Sequence, residues 1–391
     1  MIPRYAPTYT FSDLLQSLGR CFRRDVDENL RSRLATLYKI KHVFLLESAR
    51  VALYALLRAY NRPGGVLMPA YNCIVVPEAV HFAGYYPVFV DVDCNSLSMT
   101  AGILKKSMSS DISVVLATHL FGIPCDVAEI MRVLQQYEVP IVEDAAPALG
   151  AEFRGTLAGS LGEAAIISFQ STKVISGETG GALLTNNDEL ADKVERLLQT
   201  DVVPDGHLRA FAKALARRTA TSSWVYSATH FGYRILRDER MFEVVAPRTE
   251  IPSGFLTLCS RFSSALVLRQ LDRLDWNLSR RRKLAQIYQD ELSKHPGLKL
   301  PVLPEGCSPA WIQFPIQVDD KKAFYKHMQR NRVDITWTYR YSCADSYGLD
   351  GFPNAQRAAK TVLGLPTYPT LTEEQAQYIC RVAKKYPASM R

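Results

Sequence analysis

Between about residues 36 and 195, short apolar runs bounded by turn residues alternate with stretches of helical periodicity, and this alternation constrains the fold more than any other feature. Residues 65–69, 87–93, 112–118 and 140–144 read as short buried strands. Residues 49–58, with Ser48 as N-cap, and residues 78–83 and 127–137 read as the intervening helices. Two further strands, 164–169 and 181–185, precede a helix from about 187 to 198. Short apolar strands separated by helices pair in parallel through right-handed crossovers, with both sheet faces covered. The expected class is therefore α/β: a three-layer α/β/α large domain with a mostly parallel sheet, plus a smaller C-terminal α/β domain.

The expected domain organisation is an N-terminal segment over 1–35 and a large domain over 36–255. A basic, mostly helical insertion interrupts the large domain at about 200–250. Residues 256–391 supply a connecting helix and the small C-terminal domain. The connecting helix starts near Ser263, carries Leu266, Leu268, Leu271, Leu274 and Trp276 on its apolar positions, and runs toward Leu292.

Composition narrows the class further. A chain of 391 residues with 47% hydrophobic and 22% charged residues can bury a sizeable core. There is no apolar run of about 18 residues and no basic-then-apolar pattern at the start, so the sequence predicts neither a membrane span nor a signal peptide. The eight cysteines are scattered without a Cys-x-x-Cys pair, which argues for a reducing, cytoplasmic setting and against a zinc site or disulfide framework. Of the net charge of +8, residues 207–240 hold +5, from seven Lys/Arg (Arg209, Lys213, Arg217, Arg218, Arg234, Arg237, Arg240) and two acids (Asp238, Glu239). The excess is local and accompanies no nucleic-acid recognition motif.

Two residues point to chemistry. Asp144 ends an apolar strand, and Lys173 follows another strand and is itself followed by Gly177, Gly180 and Gly181. Ligands of parallel sheets bind at the carboxyl ends of strands, where Asp144 and His119 both fall. An amine and a facing carboxylate are what a pyridoxal 5'-phosphate enzyme needs. The lysine condenses with the cofactor aldehyde, and the acid keeps the ring nitrogen protonated. Read singly, Lys173 is a surface lysine, Asp144 a helix cap, Ser168 a small filler, Arg50 a surface helix residue and His119 a packed strand-end histidine.

The ordered set of motifs resembles the DegT/StrS family of sugar-nucleotide aminotransferases, which have the aspartate aminotransferase fold (fold type I). The resemblance covers roughly residues 36–195 and 254–385. It rests on Ser48-Ala49-Arg50-Val51-Ala52-Leu53, Pro87 to Asp93, His119-Leu120-Phe121-Gly122, Glu143-Asp144-Ala145-Ala146 and Gly159-Ser160-Leu161-Gly162. Ser168-Phe169, Lys173, Gly180-Gly181-Ala182, Arg261 and Leu365 to Thr372 complete it. The resemblance implies that Lys173 is the Schiff-base lysine and general base, that Asp144 pairs with the ring nitrogen, and that Ser168 binds the phosphate. The amides of Ala49 and Arg50 at a helix N-terminus form a phosphate cradle, with the Arg50 side chain, where the family has threonine, adding a charge-assisted contact.

The sequence also departs from the family. Cys73 stands where an aromatic residue stacks on the cofactor ring, leaving Tyr71 or a sulfur contact for that task. Pro147 replaces a glutamine, Cys259 replaces the asparagine that reaches the partner subunit, and Val174 replaces an asparagine. The expected substrates are an amino-acid donor such as glutamate and a keto-sugar acceptor, with a homodimer as the working unit. A lipid-linked or non-nucleotide acceptor, and an inactive regulatory relative, stay open as alternatives. The spacing of Leu208, Phe211, Ala212 and Leu215 gives an apolar helical face, either packed on the enzyme or its dimer mate, or in peripheral membrane contact through residues 207–240, or part of a basic rim that attracts nucleotide diphosphates.

Overall fold

The computed structural model describes residues 1–200, 206–222, 225–228, 244 and 246–387. Nine strands precede residue 190: β1 (His42–Leu46), β2 (Gly65–Pro69), β3 (Tyr86–Val90), β4 (Ile112–Thr118), β5 (Ile141–Asp144), β6 (Glu152–Phe153), β7 (Thr156–Leu157), β8 (Ala164–Ser168) and β9 (Gly181–Thr185). Seven of them form one sheet in the order β1-β9-β8-β5-β4-β2-β3. The pairs β2–β3, β2–β4, β4–β5 and β5–β8 are parallel, as the sequence predicts. Every residue of β2, β5, β8 and β9 is buried, the signature of a sheet covered on both faces.

One pairing differs from the expected pattern. β9 runs antiparallel to both β8 and β1. The connection from β8 is the short loop carrying Lys173, which holds no crossover helix, so the chain returns as a hairpin. β6 and β7 form a small hairpin that the sequence pattern did not signal; it pairs with Cys307–Ser308 rather than with the main sheet.

The helix Ala49–Tyr60 lies on one sheet face, and Ser48 caps it by accepting the Val51 amide at 3.3 Å. Val51, Leu53, Leu56 and Leu57 are fully buried there. Burial of such side chains contributes about 1.5–3 kcal/mol each, which fixes this helix N-terminus against the sheet.

The expected long helix after residue 263 is two helices, Arg261–Leu271 and Leu274–Leu292. The break at Asp272–Arg273 resets the helical phase, so Trp276 turns outward at 47% exposure while Leu278, Arg281 and Tyr288 face inward. Arg269 and Arg273 both bind the buried Asp13 carboxylate, at 3.0 and 2.8 Å. Beyond residue 300, an antiparallel pair, Phe314–Gln317 with Val362–Leu365, packs with the helices Lys321–Arg330, Pro353–Thr361 and Glu373–Lys384.

Within the basic 200–250 stretch, His207–Ala220 is a helix and residues 225–228 are helical. Trp224, Phe231, Tyr233, Arg234, Arg237, Asp238, Glu239 and Arg240 lie outside the described residues. The helix packs on Phe11–Arg20 and Arg261–Leu271 around Tyr9, Leu14, Ala210, Ala214, Phe262 and Leu266. Its inner face is thus Ala210 and Ala214, with Phe211 partly buried. Leu208, Ala212 and Leu215 are exposed, so the apolar row read from the sequence is not the packed face. Among the described residues, no helix is long and apolar enough to cross a membrane.

Candidate active site

The carboxyl ends of β4, β5 and β8 bring the candidate residues to one edge of the sheet. Thr118 and Asp144 are register partners, and Asp144 is 3% exposed. Its Oδ1 accepts the Ala146 amide at 3.1 Å. Burial raises the Asp144 carboxyl above the usual range, and the Lys173 charge opposes that rise. Lys173 sits in a turn, its amide donating to the Gln170 carbonyl at 3.0 Å. Burial lowers its amine below the ordinary value, opposed first by Asp144 and then by Cys73. The buried acid and the half-buried amine therefore act on each other, and each restrains the other's shift.

The helix end meets the strand that follows the Lys173 loop. Ser168 is the register partner of Gly181, and Gly180 bridges to Ser48. A Cβ at Gly181 would fall 2.4 Å from the Ala49 nitrogen and 2.5 Å from the Ser48 carbonyl carbon, so only glycine permits the approach. Ser168 is buried and its Oγ accepts the Gln170 amide at 3.3 Å. Ser48, the amides of Ala49 and Arg50, and Ser168 thus meet around the first turn of a 12-residue helix. Such an end presents unpaired amides to an anion.

The Arg50 side chain goes elsewhere. Its Nη1 is 3.8 Å from Glu78, and its guanidinium lies 5.1 Å over the Phe255 ring. Glu78 also accepts the Arg248 amide at 3.1 Å. The amide of Arg50, rather than its guanidinium, stands at the helix end.

Cys73 is partly buried beside Lys173 and Asp144, and burial pushes its thiol up. Its amide donates to Asn72 Oδ1 at 2.7 Å, and Asn72 Nδ2 donates to Thr118 Oγ1 at 3.0 Å. Tyr71 is fully buried, edge-on to Tyr339 (5.2 Å) and tilted on Phe121 (6.3 Å). Packed in this way it is part of the wall, and its hydroxyl has no partner among the described residues. Tyr339 was not legible in the sequence: it lies far along the chain in no motif, yet burial pushes its phenol up, with Cys73, Tyr71 and Asp144 adding to the rise. Cys259 is buried in the core with its Sγ 3.0 Å from a Cβ built on Gly180, a small filler as its type suggests.

His119 is a packed residue rather than a free acid or base. Its Nδ1 accepts the Cys125 amide at 3.1 Å, so Nε2 carries the proton and donates to Glu143 at 2.9 Å. Glu143 also accepts the amides of Gly159, Leu161 and Gly162 at 2.7–2.8 Å. Burial alone would raise this carboxyl, but His119 and the amides outweigh it and hold it low.

The donor set fits pyridoxal phosphate: an amine of lowered basicity, a buried acid in the same pocket, and a helix end that a glycine keeps open. Residues 22–384 match the DegT/DnrJ/EryC1/StrS aminotransferase family, and the chain belongs to it. The protein is accordingly an aminotransferase that uses pyridoxal phosphate. The chain is 28% identical over 364 residues to the spore coat polysaccharide biosynthesis protein SpsC of Bacillus subtilis, covering 88% of this chain and 85% of that protein. It is 22% identical over 409 residues to GDP-perosamine synthase of Vibrio cholerae, covering 99% of each. Among solved structures, S. venezuelae DesV superposes with a TM-score of 0.79 at 22% identity, covering 97% of this chain and 95% of that one. The sugar aminotransferase CalS13 of Micromonospora echinospora gives 0.79 at 20% identity, covering 99% and 100%.

Proposed function

We propose that the enzyme moves an amino group from an amino-acid donor, glutamate by preference, to the keto group of a nucleotide-linked sugar. The observation that carries this reading is the mutual electrostatic influence of Lys173 and the buried Asp144, with the Ser48–Arg50 helix end held against the strand that follows the Lys173 loop. Relatives named for GDP- and dTDP-linked amino sugars support the acceptor class.

When bound, pyridoxal phosphate supplies an electron sink conjugated to the substrate carbon. Lys173 Nζ, shifted toward its neutral form by burial, takes the proton from the donor's α-carbon and, in the second half-reaction, returns one to the acceptor carbon. Asp144 would supply the negative charge that keeps the ring nitrogen protonated. The amides of Ala49 and Arg50, with Ser168, would hold the phosphate, and Cys73, beside Lys173 and Asp144, would line the ring site. The pocket wall of Tyr71, Phe121 and Tyr339 excludes water from the proton path. We further assign the working unit as a cytoplasmic homodimer with Arg261 near the subunit contact. The chain divides at about residue 255 between a cofactor-binding part and a smaller C-terminal part.

The test is a transamination screen of purified, cofactor-loaded protein with glutamate and a panel of keto-sugar nucleotides, scored by 2-oxoglutarate release. Turnover with at least one member is expected. Release of 2-oxoglutarate on mixing with glutamate but turnover with no member would remove the nucleotide-sugar acceptor.

A further inference from the structure

Tyr339, part of the pocket wall beside Tyr71, sits in strained backbone. Its φ is +21°, a region that a bulky side chain rarely enters. Strain of this kind persists only where surrounding contacts over-determine it. The chain just before it is anchored: Thr336 exchanges two backbone hydrogen bonds with Gly364 at 2.9 Å, and Thr338 Oγ1 accepts Gln313 Nε2 at 2.9 Å. The anchor at Tyr339 itself is Lys321. Its Nζ donates to the carbonyls of Thr338 and Tyr339, at 2.8 and 3.2 Å, and to the Ala359 carbonyl at 2.8 Å. The first two carbonyls lie on either side of the Tyr339 α-carbon, so one ammonium grips both peptides of the strained residue.

Position and burial both disfavour a cation at Lys321. The residue is 4% exposed and opens the helix Lys321–Arg330, whose N-terminal dipole repels positive charge. Its hydrogen bonds go to carbonyls and to no carboxylate, and burial pushes its amine down to about 7. The Trp337 ring, 4.8 Å from Nζ, is the remaining favourable contact. Three N–H donors meet three carbonyls only in the ammonium form. The three carbonyl contacts must therefore outweigh the cost of the charge, and two of them act on Tyr339.

We propose that Lys321 is a positioning residue, whose ammonium clamps the backbone of Tyr339 and so keeps the Tyr339 ring seated in the wall of the cofactor pocket. The ring meets Tyr71 edge-on at 5.2 Å. Burial raises its phenol, and Cys73, Tyr71 and Asp144 add to the rise, which puts the phenol at the pocket that holds Asp144. Without the clamp, the strain at residue 339 relaxes, the ring leaves Tyr71, and water and small solutes reach the lysine-bound cofactor. The inference rests on Lys173 holding that cofactor.

The test is a double-mutant cycle read by hydroxylamine, which displaces the lysine from the cofactor aldehyde and bleaches the visible absorbance at a rate set by access to the pocket. The four full-length, cofactor-loaded proteins are the parent, Lys321→Met, Tyr339→Ala and the double variant, with melting temperatures recorded for each. Lys321→Met and Tyr339→Ala should each bleach about tenfold faster than the parent, and the double variant no faster than Tyr339→Ala alone. Lys321→Gln keeps two donors and should give a smaller acceleration, so it closes the cycle where Lys321→Met does not fold. Bleaching of Lys321→Met at the parental rate overturns the proposal. So does a double variant in which the two accelerations multiply, because Lys321 would then act through general stability and not through Tyr339. A parent with no visible absorbance to bleach overturns the proposal together with the Lys173 assignment, whereas unchanged rates in a yellow protein overturn the proposal alone.

Discussion

Glu143 and Asp144 are consecutive residues of one strand, and their carboxylates serve opposite sides of it. Glu143 accepts His119 Nε2 and three backbone amides, while Asp144 faces the pocket that holds Lys173. Strand alternation sends the two side chains to opposite faces, so a structural anion and a chemical one sit a single residue apart.

Glu143→Gln replaces an acceptor of four donors with a group that must itself donate. An amide hydrogen would face at least one of those donors in a fully buried site. The expected cost is about 2–4 kcal/mol of stability, read as a lowered urea midpoint at unchanged slope. The variant should still capture cofactor, since Asp144 and Lys173 are untouched.

Asp144→Asn changes a pH profile in a defined direction. The carboxylate raises the Lys173 amine against the lowering effect of burial, so its removal should drop the amine's pKa further. The rate of pyridoxal phosphate capture by the cofactor-free protein depends on the neutral amine. Its acid limb should therefore move to lower pH in the variant. Transamination kcat should fall about 10²–10³-fold, the scale for losing one preorganised charge at a reacting group.

Gly181→Ala tests the cradle. The added Cβ meets backbone at Ala49 and Ser48, which cannot swing aside as a side-chain tip can. Overpacking of this kind costs about 1–3 kcal/mol, so cofactor affinity should fall by about tenfold or more in a fluorescence titration. Gly206→Ala, whose Cβ meets nothing closer than 3.7 Å, is the control.

The sequence disclosed whatever was local. Lys173, Asp144, Ser168 and the capped helix at Ser48 each sit where an apolar run stops, and periodicity finds such stops. The antiparallel return of β9 was not marked, because alternating helices and strands predict parallel pairing and the Lys173 loop hides the exception. Tyr339 joins Tyr71 through tertiary packing alone. Trp276 and the Leu208–Leu215 row share one cause: periodicity shows that an apolar row exists but not which way it points. At Trp276 the two-residue break turned the row outward, and on His207–Ala220 the small residues Ala210 and Ala214 allowed closer packing than the leucines. Arg50 reads as a phosphate ligand by position, yet Glu78 and Phe255 hold its side chain.

Asp13 links the N-terminal helix to the break at Asp272–Arg273 and should make stability acid-sensitive. Burial alone would raise this carboxyl; the Thr10 amide, Arg273 and Arg269 outweigh it and hold it at about 2. A depressed folded-state pKa gives stability that is fully present above the unfolded value of about 4 and is lost as pH falls toward about 2. The contribution is on the order of 2 kcal/mol. Asp13→Asn should therefore melt lower than the parent at pH 6, and the gap should narrow steadily below pH 4.

The central claim is that Lys173 is the residue that takes up pyridoxal phosphate. Its most direct test is titration of the cofactor-free protein with pyridoxal phosphate, followed by visible absorbance and by mass after borohydride reduction. The parent should turn yellow at one equivalent and gain one cofactor mass on the peptide containing Lys173. Lys173→Ala should remain colourless in the bound fraction and gain no mass. A parent that takes up no cofactor, or a Lys173→Ala variant labelled to the same extent, would contradict the account.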